Sequence, residues 1–223
     1  MRGFIPVDTF LKTDVEKLRQ AACDRFAARQ AMLHAGTYHD ATGALVSQVG
    51  ALAVTAPNDP SSVISGLTHF QAALFLGTST YALFEPVPAY HFTGGRTEAG
   101  VPTTLLYTQD AYWVDFLRGA APYEPVNLLA QAEALTCDET DLPFDDHLAE
   151  ITVPVLYVGA GGSFGEFGVY TTTLLGSTDV SIHLVTLLPP ADRVEDFGHA
   201  DLFLADDAKM LVWQPILGWI QNH

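Results

Sequence analysis

Apolar and polar residues follow two different periods along this chain, and the change falls near residue 150. In the first part the spacing is helical. Val15, Leu18, Ala22, Phe26 and Leu33 share one side of a helix that Thr13-Asp14-Val15-Glu16 opens as a capping box and Gly36 stops. An apolar run over 44–54 ends at the breaker Pro57-Asn58-Asp59-Pro60. Ser61 or Ser62 then caps a second helix through Phe75, with Val63, Ile64, Leu67, Phe70 and Leu74 apolar. Pro86, Pro88, Gly94, Gly95, Gly100 and Pro102 predict a long irregular connection, followed by helices near 109–118 and 125–137.

The second part reads differently. Residues 152–158 are nearly all apolar, as in a strand buried on both faces of a parallel sheet. A glycine-rich loop over 159–168 leads into a helix near 169–175, and a second strand over 180–188 ends at Pro189 and Pro190. A loop from Asp196 to Phe203 follows. Ala208, Leu211, Val212, Pro215, Ile216, Trp219 and Ile220 then make a final amphipathic helix. Strand, helix, strand, loop and helix form the closing half of a doubly wound α/β sheet.

Composition narrows the function classes. The chain has 223 residues, 48% hydrophobic and 16% charged, enough to bury a core. A net charge of −16 argues against nucleic acid and anionic membrane partners. No apolar run approaches the ~20 residues of a membrane helix, so no transmembrane segment is expected. Residues 1–13 show no export signal, which leaves the compartment open: cytoplasmic by default, exported if a preceding segment carries a signal. Cys23 and Cys137 lie in predicted helices without metal-ligand spacing and read as reduced thiols, or as a disulfide in an exported protein. The histidines lack zinc-site spacing and no dinucleotide or phosphate loop occurs, so no metal and no cofactor is expected.

Gly198-His199-Ala200-Asp201, on a loop between a last strand and a last helix, resembles the C-terminus of α/β-hydrolases of the esterase and acid-lipase kind. The pattern Ile151-Thr152-Val153-Pro154-Val155-Leu156-Tyr157-Val158-Gly159 is similar to their penultimate core strand. The resemblance implies that His199 is a general base. It also implies an acid in the loop after 152–158, where the family has Asp and this chain offers only Glu166. Glu166 equally suits the start of a helix, where the dipole favours a carboxylate. Asp196 and Asp201 are expected to hold the His199 loop through bonds to backbone amides.

Gly161-Gly162-Ser163-Phe164-Gly165 matches the nucleophile pattern Gly-x-Ser-x-Gly literally, which makes Ser163 an alternative nucleophile. The stretch from Ser163 to His199 has room for only one strand and its connections, whereas the family order requires more. The resemblance therefore implies the C-terminal part of an α/β-hydrolase sheet, two parallel strands with flanking helices over 148–223, preceded by a mainly helical cap over 1–147. The nucleophile would belong to a missing N-terminal half. An apolar small-molecule ester is the implied substrate, with the aromatic residues between Phe70 and Phe116 packing the cap or lining a cleft. The alternative is a non-catalytic binding or partner subunit built from a cap and half a sheet.

Overall fold

The computed structural model describes residues 3–79, 90–139, 142 and 147–223. Tyr81, Phe84, Pro86 and Pro88 lie outside the described residues. The chain mixes helix and strand, with small sheets and one parallel strand pair. Among the described residues no helix is long and apolar enough to cross a membrane.

Helix α1 (Glu16–His34) starts later than its sequence suggests. Val15 is its N-cap, and Thr13 Oγ1 accepts from the Val15 amide at 3.1 Å, so no capping box forms. Gly36 stops it as expected. At φ +81° this residue lets its own amide reach Leu33 O while the Thr37 amide reaches Met32 O, the paired bonds of a Schellman turn. A two-residue strand β1 (His39–Asp40) follows, then α2 (Thr42–Thr55).

The next helix, α3 (His69–Thr78), begins well after Ser61. Ser61 Oγ instead accepts from the amides of Val63 and Ile64 in a local turn, while Thr68 and Gln71 make the capping box. Strands β2 (Gly95–Glu98) and β3 (Val101–Leu105) form an antiparallel hairpin where an irregular connection was expected. Its turn places Ala99 and Gly100 at φ +51° and +82°, the double left-handed conformation of a tight hairpin. Helix α4 (Asp110–Arg118), strand β4 (Glu124–Pro125, paired with β1) and helix α5 (Val126–Cys137) complete this part. Trp113 is buried against α3, its Nε1 donating to Ala73 O at 2.8 Å.

Helices α1 and α5 are joined covalently. Cys23 and Cys137 form a disulfide, which corrects the reading of two reduced thiols. Arg25 also grips the Glu133 carboxylate with two bonds of 2.7 and 2.8 Å.

Strands β5 (Val155–Ala160) and β6 (Val180–Val185) pair in parallel, joined through α6 (Gly165–Thr173), as the sequence suggests. All six residues of β5 are buried. Strand β6 stops short of Leu188 because the Leu187 and Leu188 amides are taken by Asp196 Oδ1 at 2.9 and 3.2 Å. Residues 3–8 do not belong with the helical part. They run parallel to β5 as a third extended segment, with Phe4 opposite Val155 and Val7 opposite Val158. The boundary at residue 147 therefore leaves the opening residues on the wrong side.

The final amphipathic helix forms where it was expected, over 208–222, with a π-helical turn at its start. After a short α7 (Asp201–Leu204), a π-helical turn (Lys209–Trp213) runs into α8 (Gln214–Asn222). Pro215 has no amide to give the Leu211 carbonyl, and His183 Nε2 donates to that oxygen instead at 2.6 Å. Leu156, Val158, Phe197, Leu202 and Val212 pack the core between β5 and these helices.

Candidate functional site

The site is built at the carboxyl ends of the parallel strands, where α/β sheets leave a crevice. His199 sits on the loop before α7, its side chain 32% exposed. Two backbone bonds tie this loop to residues 91–92: His199 N–H to His91 O at 3.1 Å, and Ala200 N–H to Phe92 O at 2.6 Å. Gly198 permits the approach, since a Cβ there would stand 2.6 Å from Phe92 O.

Two buried carboxylates hold the loop as expected. Asp196 Oδ1 accepts from the Leu187, Leu188 and Phe197 amides. Asp201 Oδ2 accepts from the Gly94 and Gly198 amides at 2.7 and 2.8 Å, and its Oδ1 from the Thr108 hydroxyl at 2.6 Å. Burial pushes the Asp201 pKa up to about 6 against the pull of these donors. His91, enclosed beneath the loop, is driven toward its neutral form by burial, while its Nε2 donates to Asp196 O at 2.6 Å.

The imidazole of His199 has a carboxylate partner that sequence reasoning did not name. Asp8 Oδ2 lies 2.8 Å from His199 Nδ1. Asp8 is 1% exposed. Its position is fixed from three directions: its amide donates to Val158 O at 2.7 Å, its Oδ1 accepts from the Ala160 amide at 2.9 Å, and its backbone turns sharply at φ +45°. Aspartate tolerates that left-handed conformation better than most residues. A carboxylate in its ionised form only accepts, so in that pairing Nδ1 would be the donor, and a neutral ring would then have its lone pair on Nε2. Tyr90, Phe92 and Phe203 surround the ring at centroid distances of 5.9, 6.0 and 6.2 Å. Tyr90 in turn stacks on Phe164.

Glu166 and Ser163 are placed otherwise. Glu166 is 64% exposed at the start of α6 and binds Arg193 Nη1 at 3.0 Å. The acid beside His199 is Asp8, and the reading of Glu166 as that acid is corrected. Ser163 is wholly buried, and its Oγ has no hydrogen-bond partner among the described residues, His199 included. The glycine-rich loop folds inward, its Gly162 amide donating to Phe197 O at 2.8 Å. Among the described residues no group of three or more His, Cys, Asp or Glu side chains is placed to hold a metal ion.

The one signal that could have revealed Asp8 was its setting: an apolar run, Phe4-Ile5-Pro6-Val7, ending in an aspartate. No protein-family model, curated protein or solved structure matches this chain.

Proposed function

We propose that this chain is the C-terminal portion of a serine hydrolase acting on carboxylic esters, of esterase or lipase type. It contributes His199 as general base and Asp8 as the acid that orients it, and the nucleophilic serine comes from polypeptide outside these 223 residues. The observation that carries this reading is the buried Asp8 carboxylate on His199 Nδ1, with Nε2 left to accept a proton.

In the reaction, His199 Nε2 takes the serine Oγ proton as Oγ bonds to the ester carbonyl carbon. The Asp8 carboxylate stabilises the imidazolium so formed. Nε2–H then returns the proton to the departing alcohol oxygen as the ester C–O bond breaks, leaving an acyl-enzyme. A water, deprotonated by the same nitrogen, releases the acid. The rings of Tyr90, Phe92 and Phe203 give the acyl group an apolar surface, and the net charge of −16 disfavours anionic substrates.

The experiment is hydrolysis of p-nitrophenyl esters. The chain alone should be inactive, and the chain joined to a segment carrying strand-Gly-x-Ser-x-Gly-helix should be active and lose most of that activity in His199→Ala. Full activity in the joined His199→Ala variant would refute the proposal.

A further inference from the structure

A cavity of ≈ 40 Å³ lies at the carboxyl ends of β5 and β6, walled by Gly161, Gly165, Thr186, Leu188, Arg193 and Asp196. It sits beside β6, the strand that residues 3–8 do not touch. By volume it holds about three waters, or one ion of about four heavy atoms.

One side of the cavity supplies hydrogen-bond donors. Arg193 reaches it from the 3₁₀ turn Pro190–Glu195. Its side chain is 15% exposed and gives Nη1 to Glu166. Nε and Nη2, the parallel donors on the side-on edge of the guanidinium, are buried without a partner among the described residues. That edge fits two oxygens of a planar oxyanion. A buried charged donor is costly to leave unbonded, so its place on a cavity wall points to an occupant. Gly165 and Glu166 open α6 beside it. Their amides make no hydrogen bond among the described residues and carry the positive end of the helix dipole.

Asp196 supplies an acceptor. It is 1% exposed, and its Oδ1 is taken by the amides of Leu187, Leu188 and Phe197. Its Oδ2 is buried with no partner among the described residues. This oxygen stands on the cavity wall, since a Cβ built on Gly161 would lie 2.4 Å from it and 2.9 Å from Thr186 Oγ1. Any side chain at Gly161 would therefore crowd both groups. Arg193 and Asp196 face one small space without pairing with each other.

We infer that this cavity binds a small planar oxyanion that carries one proton, of the hydrogen carbonate kind. Two of its oxygens accept from Arg193 Nε–H and Nη2–H beside the first amides of α6, and its O–H donates to Asp196 Oδ2. An ion of the same shape without a proton, such as nitrate, sets a lone pair against that carboxylate and is rejected. The net charge of −16 opposes any anion from a distance, but salt screens exposed charges beyond about 8–10 Å, and the donors at contact decide. Nothing in the site requires the hydrolase activity or the Asp8–His199 pair.

The test titrates the nitrogen-15-labelled chain with sodium hydrogen carbonate and with sodium nitrate, at mildly alkaline pH and constant ionic strength. Hydrogen carbonate should give saturable NMR shifts at the Gly165 and Glu166 amides and at Arg193 Nε–H, and nitrate should bind at least about tenfold more weakly. Arg193→Lys keeps the charge but not the fork, and should weaken hydrogen carbonate at least about tenfold. Asp196→Asn keeps Oδ1 for the three amides and turns the free oxygen into a donor. In that variant nitrate should bind at least as tightly as hydrogen carbonate. If it fails to fold, the discrimination shown by the parent and the loss in Arg193→Lys still decide. Three results overturn the inference. They are no saturable shift at these groups, which would mean that water alone fills the cavity, nitrate binding the parent as tightly as hydrogen carbonate, and binding undiminished in Arg193→Lys.

Discussion

Asp8 and His199 stand 191 residues apart in sequence and meet at 2.8 Å, carboxylate Oδ2 to imidazole Nδ1. The contact joins the first strand-like segment to the last loop, and a chain held by β5 on one side and by residues 91–92 on the other brings the two together. Substituting Asp8→Asn keeps the shape and an acceptor for the Ala160 amide but removes the charge. In the complete hydrolase proposed above, it should lower kcat by about 10³–10⁴, the loss expected when a general-base histidine is left in the wrong tautomer.

Glu166→Gln is the matched control. Its carboxylate serves Arg193 in an exposed pair, worth at most about 1 kcal/mol. Activity of the complete enzyme should stay within about twofold. A loss comparable to that of Asp8→Asn would restore Glu166 as the acid.

Ser163→Ala should leave the phosphonate labelling of the complete enzyme intact. The hydroxyl is buried without a partner among the described residues, so removing it should change stability by less than about 1 kcal/mol, or raise it. Urea unfolding and mass-spectrometric mapping of the labelled peptide check both parts.

Much of the helical part and the parallel pair were legible because periodicity reports burial directly. The runs near 109–118, 125–137 and 180–188 predicted their elements, within a few residues at each end. The hairpin Gly95–Leu105 was hidden because its glycines and prolines read as a loop, and its turn is Ala-Gly rather than the usual Asn-Gly. His199 carried a local signature, and so did the loop-holding roles of Asp196 and Asp201. Asp8 did not. Its place beside His199 depends on a contact across the whole chain, and an aspartate after a four-residue apolar run has many other uses. Glu166 is the only carboxylate in the expected loop and equally suits a helix start, whereas the position of Arg193 that captures it is a tertiary fact.

The Cys23–Cys137 disulfide ties α1 to α5 across a separation of 114 residues. Closing so long a loop restricts the unfolded chain, and the double variant Cys23→Ala, Cys137→Ala should lose about 2–5 kcal/mol of stability. Thermal unfolding with and without reductant gives the size of the effect.

Asp201 should give stability a measurable pH dependence. Burial raises its folded-state pKa to about 6 from an ordinary 3.8. The folded protein therefore holds a proton that the unfolded chain releases. This contribution is present in full below about pH 4 and is lost as pH rises through about 6. A shift of about two units corresponds to roughly 3 kcal/mol. Asp201→Asn cannot ionise, so relative to the parent it should gain about that much between pH 4 and pH 7. Urea midpoints of the two proteins at those pH values test it, and a constant difference would refute the assignment.

The central claim is that Asp8 fixes His199 with its proton on Nδ1 and its lone pair on Nε2. Nitrogen-15 NMR of the histidine-labelled chain, at a pH where the ring is neutral, measures this directly. The parent should show a protonated Nδ1 and an unprotonated Nε2 for His199, Glu166→Gln should match it, and Asp8→Asn should shift the proton toward Nε2. A parent protein whose His199 carries its proton on Nε2, or whose tautomer ignores Asp8→Asn, would contradict the account.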